Sequence, residues 1–276
     1  MFQAIRTIAL AVILFGLILF VPPLNTMLYQ GVQTIRDVFD QRPERRILFI
    51  GNSRTFYNNM PQTVLRMVEG AGGPDKLHVE MYAKSGVSLE THWADPQVQA
   101  LLAERWDDVI IQAQSTGQYS AEHSGQLWQT ATKFIDAARA AGAEPAMFVT
   151  WRYTALCPPG QGMPQAAKSL DPAGYANMHR NIQIQHARLA EETGVALVNV
   201  GQFWEGLQGE TGVFHLYDDC NHPSAYGSYL SALMFYNYFT GGTVGDVGYR
   251  PDAVPPDQAW YIRGLVSNYL GESAGS

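Results

Sequence analysis

A chain of 276 residues with 46% hydrophobic content is long enough for one large α/β domain or two small ones, and it can bury a sizeable core. A net charge of −7, a pI near 5.4 and the lack of any basic run argue against a nucleic-acid partner. Seven scattered histidines and two distant cysteines, Cys157 and Cys220, with no Cys-x-x-Cys pair, offer no metal-ligand spacing, so neither a metal nor a cofactor is expected.

The amino terminus differs in kind from the rest. Thr7 to Val21 is almost wholly apolar, no charge falls between Arg6 and Arg36, and Pro22-Pro23 break the run. With its flanks the segment approaches the ~20 residues of a spanning helix. A cleaved signal peptide is the competing reading, but no small-x-small site follows. The expectation is an uncleaved anchor over residues 1–24, a spacer over 25–44, and a domain over 45–276 held on the extracytoplasmic side of a membrane.

Ile47 to Ile50 is a short apolar run that reads as a buried strand, and Gly51-Asn52 permits a tight turn that presents Ser53. Met60-Pro61 open a helix whose apolar positions include Val64, Leu65, Met67 and Val68, and glycines end it. Strand, turn, serine and helix in that order can expose a nucleophile beside backbone N–H groups; an ordinary βα turn is the alternative reading. Leu77 to Tyr82 predicts a second strand, running into Gly86. After a helix near 95–104, Trp106 to Ile111 predicts a third, ending in the polar cluster Gln112-Ala113-Gln114-Ser115-Thr116.

Glu122 to Ala141 is amphipathic, and Ala146 to Thr150 predicts a fourth strand with Trp151, Arg152 and Tyr153 at its end. Thr154 to Leu170 has no clear period and reads as a long functional loop. Asp171-Pro172 open a helix to Glu192, and Val195 to Val200 predicts a fifth strand. A single series of βα units implies a parallel sheet covered on both faces, with ligands bound at the strands' carboxyl ends. Ser53, Gly86, Gln112, Gln114, Trp151 and Arg152 all fall there.

Near the end of the chain stands Asp219-Cys220-Asn221-His222-Pro223, with Pro223 read as the first position of an apolar helix and His222 held at its start. Asp219 can fold back onto one imidazole nitrogen and leave the other to face a hydroxyl. A serine hydroxyl must lose its proton as it attacks, a neutral histidine can take it, and a carboxylate fixes the required tautomer. A capping turn is the bland alternative for this stretch.

Gly51-Asn52-Ser53 after the first strand, Gly86 after the second, a polar block after the third, and Asp219-x-x-His222 near the carboxyl end together resemble the SGNH (GDSL-like) hydrolase family, over about Ile47 to Tyr238. The resemblance implies a flavodoxin-like three-layer α/β/α sandwich with a parallel five-stranded sheet, and esterase chemistry without a metal. It implies Ser53 as nucleophile and first oxyanion donor, Gly86 as second donor, His222 as base and Asp219 as its partner. The family's usual Gly-x-Asn-Asp third block is replaced here by Gln112-Ala113-Gln114-Ser115, which resembles carbohydrate-esterase branches and leaves Gln112 or Gln114 as third donor.

The reading is therefore a serine esterase removing a short acyl group, with acetyl expected because the third block points to glycan deacylation, from a small ester or an O-acetylated glycan. The alternatives are an O-acyltransferase on an envelope glycan and a non-catalytic glycan-binding protein of the same fold. Trp151, Arg152 and Tyr153 are expected in the substrate wall, with core packing of Trp151 as the alternative. Two unpaired buried cysteines are expected, against a Cys157 to Cys220 pair if the domain is exported.

Overall fold

The computed structural model describes residues 41–114, 121–154, 172–207 and 214–272; the expected membrane anchor, most of the spacer and most of the 154–170 loop lie outside them. Among the described residues no helix is long and apolar enough to cross a membrane. Glu44–Ser276 forms a compact unit of its own.

Its centre is a five-stranded parallel sheet in the order β2-β1-β3-β4-β5, built from β1 (Glu44–Gly51), β2 (Lys76–Ala83), β3 (Asp108–Ile111), β4 (Glu144–Phe148) and β5 (Ala196–Val198). This is the flavodoxin-like order, whose topological switch point lies between β1 and β3. The near-continuous apolar run of β1 follows from burial on both faces: Ile47 and Phe49 enter one core, Leu48 and Ile50 the other.

The first core joins the sheet to α2 (Met60–Ala71), α7 (Val200–Leu207), α8 (Ala225–Thr240) and α9 (Pro256–Leu270). The second joins it to α3 (Leu89–Trp93), α4 (Pro96–Leu102), α5 (Ala121–Ala140) and the end of α6 (Pro172–Thr193). The expected three layers are thus present. Helix α8 is apolar nearly all round because it is wrapped by sheet and helices: Phe235 meets the edge of Phe49 at 5.3 Å and of Phe148 at 5.1 Å.

Several boundaries differ from the sequence reading for local reasons. Ser53 does not sit in an open turn before the next helix; it begins a one-turn helix, α1 (Ser53–Phe56), because the Asn52 side chain caps the Arg54 N–H. Pro223 is not the first residue of α8. It pairs with Tyr217 in an antiparallel bridge, and Ser224 takes the cap by accepting from the Gly227 N–H. Helix α9 was not anticipated, although Pro255-Pro256 and Gly271, with φ of +71°, mark its two ends.

Candidate active site

The site is assembled at the switch point, and the peptide between Gly51 and Asn52 is its fixed origin. The Gly51 carbonyl accepts from His92 Nε2 at 2.7 Å and from the Lys84 N–H at 3.3 Å. On the other side, the Asn52 N–H donates to Gln112 Oε1 at 2.8 Å, and the Thr55 hydroxyl donates to the same oxygen at 3.0 Å. Gly51 is required here: a Cβ would run into Thr55 Oγ1 and would stand 2.8 Å from Gln112 Oε1. Burial pushes the His92 imidazole below its ordinary range, so it donates to Gly51 as a neutral ring.

From this anchored peptide the chain turns into α1, with Ser53 at its first position and nearly buried. His222 Nε2 stands 2.9 Å from Ser53 Oγ, and His222 Nδ1 stands 2.7 Å from Asp219 Oδ2. The other Asp219 oxygen accepts from the Asn221 and His222 N–H groups, each at 2.6 Å. Burial opposes ionisation of Asp219, but the imidazole and the two backbone donors outweigh it and hold the carboxyl below its usual range. An ionised Asp219 fixes the proton on Nδ1 and leaves Nε2 to accept from the serine.

The loop carrying His222 is not part of a strand or helix. It is closed on itself by the Asp218 N–H to His222 carbonyl bond at 2.9 Å and the Tyr217 to Pro223 bridge. It is tied outward by Trp151 Nε1 to the Asn221 carbonyl at 3.0 Å and by the Thr154 N–H to the Cys220 carbonyl at 3.1 Å. Cys220 is buried and disulfide-bonded, which corrects the expectation of two unpaired cysteines; the sequence holds one other, Cys157, outside the described residues.

Gly86 lies in the loop after β2 with φ of +69°, a conformation that suits glycine, and its carbonyl accepts from Gln114 Nε2 at 2.7 Å. That loop touches the serine turn through Asn52 Nδ2, 3.5 Å from the Val87 carbonyl. Gln112 stands elsewhere than expected for a donor to substrate. Its side chain is buried, its amide nitrogen donates to the Ala113 carbonyl and its oxygen braces the serine turn. Gln112 is thus a strut beneath Ser53.

Of the expected substrate wall, Trp151 and Tyr153 belong to the core, for Trp151 the alternative reading of the sequence. Trp151 is 1% exposed and Tyr153 is 3% exposed. Trp151 stacks on Trp204 of α7 at 3.7 Å, so its ring is core and only its indole N–H reaches the histidine loop. Arg152 pairs with Glu205 at 2.7 Å.

Three residues of the site escaped the sequence reading. Arg54, next to the serine, is 2% exposed and donates to Asn221 Oδ1 from Nε at 3.0 Å and Nη2 at 2.8 Å, and to Thr150 Oγ1 and the Trp151 carbonyl. Tyr57 lies flat on the His222 imidazole, with ring centres 4.3 Å apart and planes 6° from parallel. Burial, and then the nearby Asp219 and Asp218 carboxylates, raise the Tyr57 phenol, which stays neutral. Asn58, held at φ of +51°, donates to the Pro223 carbonyl at 3.0 Å and Ser228 Oγ at 2.9 Å. The Asn58-Asn59 pair was the available signal, since asparagine tolerates the left-handed region that both occupy.

A nearly buried serine, an imidazole and an ionised carboxylate thus stand in line at the carboxyl edge of a flavodoxin-like sheet, the arrangement expected of an SGNH-like fold. Solved structures agree. A protein from Slackia heliotrinireducens described as an SGNH hydrolase is 28% identical, matches 72% of this chain and all of its own, and superposes with a TM-score of 0.58. A DUF4886 family protein from Bacteroides uniformis is 17% identical over 84% of this chain and 97% of its own, with a TM-score of 0.65. An acetyl xylan esterase, AlAXEase, shares the fold at 10% identity over 70% of this chain and 98% of its own, with a TM-score of 0.54. No protein-family model matches the sequence, and no curated protein does. The resemblance to the SGNH (GDSL-like) hydrolases therefore holds in three dimensions, in a divergent form.

Proposed function

We propose that the protein is a serine esterase that removes a short acyl group, acetyl in the first instance, from a carbohydrate ester. The observation that carries this reading is the continuous relay from Ser53 Oγ through His222 to Asp219, at 2.9 and 2.7 Å. Ser53 Oγ attacks the ester carbonyl as its proton passes to His222 Nε2, and Asp219 stabilises the imidazolium that forms. The backbone N–H groups of Ser53 and Gly86 are the proposed oxyanion donors, each contributing on the order of 10²–10³ in rate. His222 then gives its proton to the departing alcohol, and water, deprotonated by the same imidazole, releases the acid from the acyl-enzyme.

Carbohydrate specificity is supported by the glutamine-containing third block and by the acetyl xylan esterase among the structures of this fold. Placement outside the cytoplasm, tethered through residues 1–24, is supported by the apolar Thr7 to Val21 run and by the disulfide at Cys220, which persists in oxidising compartments.

The test is hydrolysis of p-nitrophenyl acetate against longer-chain esters, then release of acetate from an O-acetylated xylan. Ser53→Ala should lower kcat by roughly 10⁴-fold or more, and Asp219→Asn by a similar order. A fluorophosphonate probe should label Ser53 in the unmodified protein. Inert wild-type protein that also resists the probe would remove the enzyme reading in favour of glycan binding.

A further inference from the structure

Asn221 is the residue between the disulfide-bonded Cys220 and the base, and its side-chain amide lies with Nδ2 3.3 Å from His222 Nε2. Which end of an amide faces a ring nitrogen decides whether it donates or accepts. Here the orientation is set by a neighbour, because Asn221 Oδ1 accepts two guanidinium hydrogens from the buried Arg54. Turning the amide over would set its NH2 group against those N–H donors, leaving buried donors facing each other. The NH2 end is thereby fixed toward Nε2, and Nε2 is an acceptor because Nδ1 donates to Asp219.

We propose that Asn221, locked by Arg54, is a positioning residue that holds His222 in its proton-accepting form before the serine is engaged. This rests on the assignment of His222 as the base. The Nε2 lone pair is shared between the Ser53 hydroxyl at 2.9 Å and the Asn221 amide at 3.3 Å. An N–H on Nε2 would stand against the Asn221 N–H, so the amide favours the ring that carries its proton on Nδ1 and presents a lone pair at Nε2. The charged and titratable groups that touch the ring are Asp219 on its own loop and Tyr57 from the segment after β1; the Arg54 charge stands behind Asn221, and Asp218 acts on the Tyr57 phenol.

The substitution that tests this is Asn221→Asp, which keeps one oxygen on Arg54 and turns an acceptor toward Nε2. Asn221→Ala removes the amide and is the second variant, with Arg54 left in place. The full chain is labelled with ¹³C in its histidine rings, the His222 signal is identified from a His222→Gln sample, and its titration is followed between pH 4 and 9 by NMR. The expected result is a protonation midpoint displaced to higher pH, by about tenfold in proton concentration or more for Asn221→Asp and by less for Asn221→Ala. The acid limb of the kcat/KM profile should move with it. A midpoint unmoved in folded Asn221→Ala overturns the proposal whatever Asn221→Asp does, because a new carboxylate beside the ring raises its midpoint by charge alone; a lower kcat/KM with an unmoved acid limb in Asn221→Ala overturns it too. Because the NMR titration needs no turnover, a protein inactive on every ester would overturn the esterase reading while this measurement still gave its own answer.

Discussion

The turn that carries Ser53 and the loop that carries His222 meet at 2.9 Å, and they are held there by opposite means. The serine turn grows directly out of a central strand, and its first peptide is clamped from both sides by His92, Lys84 and Gln112. The histidine loop has no strand beneath it. It depends on cross-links from distant parts of the chain: Arg54, the Trp151 indole, the Thr154 N–H and a disulfide. Topology therefore places the nucleophile, whereas cross-links from distant parts of the chain place the base.

Arg54 belongs to both regions, so its removal should have the largest effect. Arg54→Met is expected to cost roughly 3–5 kcal/mol of stability, because the Asn221 oxygen, Thr150 and the Trp151 carbonyl lose a buried charged donor together. Urea unfolding measures it, and a change below about 1 kcal/mol would mean that the two regions do not need this link. Next in size is the disulfide. Replacing Cys220 and Cys157 by serine should cost about 2–4 kcal/mol. Hydrogen exchange should then quicken at 218–222 and stay slow at 53–55; equal acceleration in both would erase the distinction between them.

Gln112→Leu tests the other side. The Asn52 N–H and Thr55 hydroxyl lose a buried acceptor, a cost of about 1–3 kcal/mol. Exchange should now quicken at 52–55 and leave 218–222 unchanged, with kcat falling through a misplaced serine. The smallest effect is a pH dependence that spares both regions. Burial holds the His186 ring of α6 neutral below its ordinary value of 6.5, so the unfolded chain takes up that proton first and stability falls as pH drops below about 6.5. The slope is at most about 1.4 kcal/mol per pH unit for one group, and His186→Leu should flatten it in thermal melts at pH 5 to 7. His179, also lowered by burial, adds to the same slope; His92, lowered likewise, adds a part that does act on the serine turn through Gly51.

What could be read from the sequence follows the same division. The strand ending in Gly51, the serine after it and the Asp219-x-x-His222 spacing are local patterns, and the structure brings those residues together. Arg54, Tyr57 and Asn58 lie within a few positions of Ser53 in sequence, yet each meets a partner more than 160 positions away, where no periodicity points. Gln112 was expected to face substrate because it ends a strand. Nothing in the sequence says that its oxygen is already committed to the Asn52 N–H. Trp151 and Tyr153 were misplaced for a related reason: a strand end reads as exposed until a later segment covers it, and α7 brings Trp204 onto the Trp151 face.

The flat contact between Tyr57 and His222 has a use that concerns detection more than chemistry. A proton held above the face of a phenol ring lies in the shielding region of its circulating π electrons. The His222 carbon-bound protons should therefore resonate upfield of the crowded histidine region, where they are readily told apart. Replacing Tyr57 by leucine should return them to it. The base of this site thus carries its own spectroscopic tag, one that reports whether its loop is seated on the serine turn even when no substrate is being turned over.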